Sequence, residues 1–313
     1  MIKNYSDTFC KILSISWLIL GATLLRAQEP KIFSRADFDL KGRVKSCLVI
    51  TDYGKEEFEF NEAGLLTKSV TRFNEKDYDV TYYKYQGDEL IERRNENYRD
   101  GLFDKYTSIA HIYEIDTLEN RKVTERILSY AKEFLDQYEY LYDEENRLVK
   151  ITRSNNEGID ETKIEYTTYK DENTQSTYLN GSLLRSVRTS AKKKKGIDYK
   201  LVLTKDFIQG IPSKAVEALY DKEGKLISEQ EFQYDESKKS FKPSSLINYS
   251  YNENGLLSAT ARTSGSLEER KEYIYQFDGG ADGNWIKQII TPENSYTTRR
   301  IVYFEPLEAE VEE

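Results

Sequence analysis

Tyr249-Ser250-Tyr251-Asn252-Glu253-Asn254-Gly255-Leu256-Leu257 decides how this chain folds, because its arrangement returns elsewhere. Two aromatic residues one position apart are followed by Asp or Asn, two polar residues, Gly or Asn, any residue, and Leu. Phe58 to Leu66 and Tyr140 to Leu148 repeat it, as does Ala218 to Leu226 with Ala in the first aromatic place. Weaker copies start at Tyr83, Tyr113 and Tyr275. Residues i and i+2 of a strand share a face, so the paired aromatics point one way and the polar residue between them the other. The Asp or Asn opens a turn through its side chain, and Gly64, Gly224 and Gly255 supply positive φ. Asn146 takes the glycine place in one copy and is the non-glycine residue that best tolerates that region. The following Leu opens a returning strand, so each unit is a β-hairpin.

Copies from Asn61 to Asp278 span about eight intervals of roughly 27 residues, the spacing of a repeat array. Hairpins in series predict an all-β, antiparallel meander of about 16 to 18 strands, too wide to stay flat. The prolines, Pro30, Pro212, Pro243, Pro292 and Pro306, are expected to avoid the aromatic strands. Adjacent apolar pairs such as Leu90-Ile91, Leu148-Val149 and Leu226-Ile227 predict apolar side chains on both faces and a sheet partly rolled over itself. The expectation is a long, curled sheet of tandem β-hairpin repeats rather than two globular domains.

The first 27 residues carry Lys3 and Lys11, an apolar run from Ile12 to Leu25, and Arg26-Ala27. That is the layout of an export signal cleaved after Ala27, and its apolar run is too short for a lasting membrane anchor. Cleavage leaves 43 basic and 54 acidic residues and a net charge of -11 against -9 for the whole chain. Such a chain repels nucleic acid. Cys47 alone remains of two cysteines, which excludes an internal disulfide. Residues 28–36 read as a linker, 37–304 as the repeat domain, and 305–313 as a flexible acidic tail.

Candidates for chemistry are few. The single histidine, His111, has no partner histidine and no nucleophile motif beside it, and no metal or cofactor motif is present. Carboxylate pairs such as Glu56/Glu57 and Glu144/Glu145 fit solvated turns, and Lys192 to Lys195 fits an exposed basic turn or a contact with an anionic envelope. The aromatic pairs Tyr83/Tyr85, Tyr140/Tyr142 and Tyr249/Tyr251 could stack on sugar rings, and cross-strand aromatic packing explains the same residues. Trp285 reads as the cap of the last hairpin or as a ligand contact. An outer-membrane barrel is excluded by charges along stretches such as Ile91-Glu92-Arg93-Arg94, where a lipid face must be apolar.

The units above resemble the YD or RHS repeat proteins, particularly short exported forms of Bacteroidetes. The likeness includes Leu40 to Lys45 as an opening strand and Gly283-Asn284-Trp285-Ile286-Lys287 with Arg299 to Tyr303 as a closing unit, and it covers residues 37 to 304. Large members wrap such hairpins into a shell around a toxin. This chain lacks their length, core-protease region and toxin domain, so a closed shell of that kind is not expected. The resemblance implies no catalytic residues. The functional expectation is a non-enzymatic protein, periplasmic or on the cell surface, binding an envelope glycan or protein; the alternative is a periplasmic carrier enclosing a lipid or other apolar ligand, its rolled sheet left hollow.

Overall fold

The computed structural model describes residues 30–305 except 195, 281 and 282. The export signal and the acidic tail beyond Glu305 lie outside the described residues. Twenty strands follow in order: β1 (Val44–Thr51), β2 (Gly54–Phe60), β3 (Leu66–Arg72), β4 (Tyr78–Gln86), β5 (Glu89–Arg99), β6 (Leu102–Asp116), β7 (Lys122–Ser129), β8 (Phe134–Tyr142), β9 (Leu148–Asn155) and β10 (Gly158–Tyr169). The second half comprises β11 (Glu172–Leu179), β12 (Ser182–Lys194), β13 (Ile197–Ile208), β14 (Ile211–Tyr220), β15 (Leu226–Asp235), β16 (Ser240–Tyr251), β17 (Leu257–Ser264), β18 (Leu267–Phe277), β19 (Trp285–Thr291) and β20 (Ser295–Tyr303). A 3-10 turn at Arg35–Phe38 precedes them.

Each strand pairs antiparallel with its neighbours in sequence, and β1 also pairs with β20 from Val44↔Tyr303 to Ile50↔Thr298. The meander is therefore a closed barrel, and the expectation of a long, curled sheet is corrected. Closure leaves no strand edge with unpaired backbone groups.

The repeat turns form as their sequence requires. In the 140s copy the Asp143 N–H donates to the Arg147 carbonyl, and Asp143 Oδ1 accepts from the N–H groups of Glu145 (3.1 Å) and Arg147 (2.8 Å). Asn61, Asp221 and Asn252 accept in the same way from the residue four positions on. Asn146 and Gly255 take φ of 57° and 78°, the left-handed region.

A β-bulge follows each of these turns. Tyr142 pairs with Leu148 while Leu141 pairs with Lys150, leaving Val149 as the extra residue, and the same shift occurs after Leu66, Leu90, Leu226 and Leu257. Adjacent pairs such as Leu148-Val149 thus mark an inserted residue and a local bend, which corrects their reading as a sheet rolled over itself. The bulge frees the leucine carbonyl, and a tyrosine of the next strand binds it: Tyr85 Oη donates to Leu66 O (2.7 Å), Tyr166 to Leu148 (3.0 Å), Tyr251 to Leu226 (2.8 Å) and Tyr275 to Leu257 (2.9 Å). Pro212 and Pro243 lie inside β14 and β16 at register shifts, where the ladder is already interrupted. Pro243 therefore shares a strand with Tyr249 and Tyr251, against expectation.

Register carries one face round the ring without a change of side. Val49, Phe58, Ser69, Thr81, Asn95, Glu125, Tyr140, Ile164, Glu229, Ile247, Tyr273 and Arg299 belong to it. It holds the buried aromatics, and the opposite face holds exposed Leu141, Ile274 and Val302. Side chains converge on the concave side of a closed sheet, so the aromatic face is the lumen wall. The segment before β1 lies against it at the repeat-turn end. Phe33 and Phe38 join Leu40, Val44, Cys47, Phe58, Phe60 and Leu66 in one apolar cluster. Leu66 N–H donates to the Phe33 carbonyl (2.9 Å) and Arg35 N–H to that of Gly64 (3.0 Å). Phe33 and Arg35, within the segment read as a linker, are thus bonded to the barrel.

Candidate functional site

The second interior cluster runs from β5 to β10 and contains Leu90, Tyr113, Val123, Tyr140, Tyr142, Ile151 and Ile164, with Ile32 packed on it. Within it lies a buried polar constellation. His111 Nδ1 is 2.7 Å from Glu125 Oε1, and Arg93 Nη2 is 2.9 Å from His111 Nε2. Arginine only donates, so Nε2 accepts from Arg93 and Nδ1 carries the proton given to Glu125. Tyr113 Oη donates to Glu125 Oε1 (3.0 Å) and Tyr140 Oη to Oε2 (2.6 Å). Burial pushes the Glu125 carboxyl up, but hydrogen bonds from His111 and Tyr140 and the charge of Arg93 bring it below its ordinary value. Burial, with the Arg93 charge beside it, pushes His111 down despite its bond to Glu125. The group is a neutral imidazole between a carboxylate and a guanidinium. With both ring nitrogens engaged and the ring buried, it offers no base to a substrate.

The candidate ligand residues fall in different settings. Tyr140 and Tyr142 are 2 % and 3 % exposed, which leaves neither ring a free face for a sugar to stack on, and Trp285, read as a hairpin cap or a ligand contact, is 6 % exposed. The Arg299 guanidinium lies 3.3 Å from the Trp285 ring centre, and Tyr275 meets the same indole edge-on. Burial brings Arg299 down to about 10. Trp285, at the start of β19, thus packs between side chains of β18 and β20. Tyr83 is half-buried against Phe33. Tyr85 and Tyr251 are half-buried with their hydroxyls on the bulge carbonyls described above. Tyr249 is half-buried on the lumen wall, and burial, then the nearby Glu229 charge, pushes its phenol up to about 12. Cys47 is buried and its thiol pushed up to about 11 by that burial.

Elsewhere the lumen wall mixes ion pairs with apolar residues such as Val187, Val202, Val216 and Ile247. Arg153 pairs with Asp136 (2.8 Å) and Arg185 with Asp206 (2.5 Å). Lys271 meets Glu293 (2.8 Å), and Arg262 and Glu231 lie 3.9 Å apart. Among the described residues no group of three His, Cys, Asp or Glu side chains is placed to hold a metal ion.

The outward face from β4 to β6, with Tyr130 just past β7, carries aromatic residues that the sequence reading did not single out. Tyr78 stacks on Tyr98 (4.6 Å between ring centres, 11° between planes), Tyr98 meets Phe103 (5.7 Å), and Phe103 meets Tyr130 (5.0 Å). Two rows below, Tyr82 stands between Lys68 and Arg94. The signal was present in Tyr82-Tyr83, where aromatics occupy both faces of one strand.

No protein-family model matches the chain, and no curated protein matches it. Among solved structures, a porin-like protein from Bacteroides uniformis superposes with a TM-score of 0.34 at 8% identity, covering 83% of this chain and 98% of the other. A superposition this loose carries no statement about shared function.

Proposed function

We propose that this chain is an exported, non-catalytic barrel that binds an envelope component, a glycan or a protein, in the periplasm or at the cell surface. One observation carries the reading. The single histidine is sealed in the wall with both nitrogens engaged, so the best acid–base constellation of the described residues serves the framework. What remains for function is surface: a lumen that mixes ion pairs with apolar residues and an outward face rich in charged and aromatic side chains. The lipid-carrier alternative has less support, because Arg185, Asp206, Glu229, Arg262 and Lys271 share the lumen face, where an acyl chain would strand their charges. Neither face supplies the apolar band that lipid requires. Lys55 and Glu57 on β2, Lys68 and Arg72 on β3, Lys84 on β4 and Arg94 on β5 point outward. The export signal and the repeated hairpin turn support an exported protein of the YD or RHS kind.

The test is capture from envelope extract of the native host with the immobilised mature chain, resolved into glycan and protein fractions. Recovery of a component displaced by free protein supports the proposal. Turnover of an extract component by purified protein, or recovery of nothing displaceable, overturns it.

A further inference from the structure

A groove of about 430 Å³ over β3, β4 and β5 is lined by outward-facing Tyr82, Lys84, Glu92, Arg94 and Glu96 together with Thr67 and Tyr83. This volume lies within the roughly 300–1,000 Å³ of small-ligand sites. Register explains how these residues meet. Lys84 opposes Glu92, Tyr82 opposes Arg94, and Val80 opposes Glu96, so alternate positions of two neighbouring strands stack into three rows on one face. Val70 and Val80 are the small members of this patch, and they are only 2 % and 5 % exposed because longer side chains around them close over them. The wall is held in place: Glu96 accepts from Tyr130 Oη (2.6 Å) on one oxygen and Tyr98 Oη (3.0 Å) on the other, and Glu92 pairs with Arg94.

Tyr82 differs from its aromatic neighbours. Tyr78 is covered by Tyr98 on one side and approached by Arg72 (4.9 Å), whereas Tyr82, 39 % exposed, enters no ring–ring or cation–ring contact among the described residues. The groove therefore offers one open ring beside two cations and two carboxylates whose charges cancel. An anionic ligand would meet Glu92 and Glu96 without compensation, and an apolar one would strand four charges. A ligand with an apolar ring face and hydroxyls that both donate and accept satisfies every group present.

We propose that this groove binds a neutral oligosaccharide, one sugar ring stacked on Tyr82 and its hydroxyls bonded to Glu92, Arg94 and Glu96. The proposal rests on the binding-protein reading above and names the ligand class and its place. The test uses the mature chain on an array of neutral and anionic glycans, followed by calorimetry on the best neutral hit. Three proteins are compared: wild type, Tyr82→Ala, and the lumen variant Tyr249→Ala, each checked for native circular dichroism. Neutral glycans should bind the wild type in preference to anionic ones, Tyr82→Ala should weaken the best hit at least tenfold, and Tyr249→Ala should stay within twofold. A second variant, Arg94→Gln, should weaken the same hit if Tyr82→Ala fails to fold. Binding of no neutral glycan, preference for anionic ones, or binding unchanged in the folded groove variants overturns the site. If envelope capture then persists equally in wild type and Tyr82→Ala, the groove fails while the binding-protein reading stands. If capture fails as well, both fall.

Discussion

Replacing Glu125 by Ala is expected to be among the most damaging single changes in the barrel wall. It leaves the Nδ1 proton of His111 and the hydroxyls of Tyr113 and Tyr140 without their acceptor, all in a buried cluster. Each orphaned donor costs about 1–3 kcal/mol. These losses share the same atoms and do not add, so the expected cost is about 4 kcal/mol. For a chain of this length 1 kcal/mol moves Tm by about 2 °C, giving a fall of about 8 °C. Glu125→Gln keeps the shape and one acceptor oxygen, and should cost about 1–2 kcal/mol. Glu114→Ala, on the outward side of β6, should stay within about 0.5 kcal/mol. Urea and thermal unfolding followed by circular dichroism measure all three. A cost below about 1 kcal/mol for Glu125→Ala, or one no larger than for Glu114→Ala, would refute the assignment of this carboxylate as the acceptor that joins β6, β7 and β8.

The same cluster predicts acid sensitivity. His111 is held below its ordinary value in the folded chain, so the unfolded chain binds the proton first; stability is full above the unfolded value of 6.5 and falls as pH drops below it. Glu125 is also held low, and its contribution is lost as pH falls below 4.5 and through its folded value. Urea midpoints between pH 8 and pH 5 should fall for the wild type and flatten in His111→Gln; an equal slope in both would exclude His111 as the source. Gly224→Ala places a Cβ at φ of 82° and should cost about 1 kcal/mol, while Gly224→Asn should cost less; equal losses in chemical denaturation would contradict the left-handed requirement. Tyr251→Phe removes the bond to the Leu226 carbonyl while keeping the ring, and should cost about 0.5–1.5 kcal/mol by urea midpoint; no loss would mean that water satisfies that carbonyl equally well.

The repeat turns were legible because their causes are local. An Asx side chain reaches its own turn, and Gly255 or Asn146 declares its φ with no knowledge of the remaining chain. Other turns carried signals of the same kind in Asp100-Gly101 and Asn180-Gly181, which adopt positive φ at both positions of two-residue hairpins. They raise the strand number to 20 from the expected 16 to 18. The tyrosines were recognised as strand residues, but their roles divided. Tyr140 became a buried hydrogen-bond donor, Tyr251 a partner for a bulge carbonyl, and the unremarked Tyr82 the open ring. Adjacent residues on one strand differ only in parity, and parity acquires meaning once one face becomes the inside.

From its residues alone the chain specifies hairpins, their order, their antiparallel sense and an all-β architecture, since each depends on groups within about ten positions of one another. Closure did not follow from that information. The pairing of β1 with β20 joins Val44 to Tyr303 through backbone N–H and C=O groups, which carry the same chemistry at any strand edge and leave no mark on sequence. That contact turns one face into a lumen, buries His111 with Glu125 and Arg93, and leaves Tyr82 outside. Tertiary structure decided which aromatic residues support the wall and which are free to meet a ligand, because burial is a property of the ring of strands and not of any one of them.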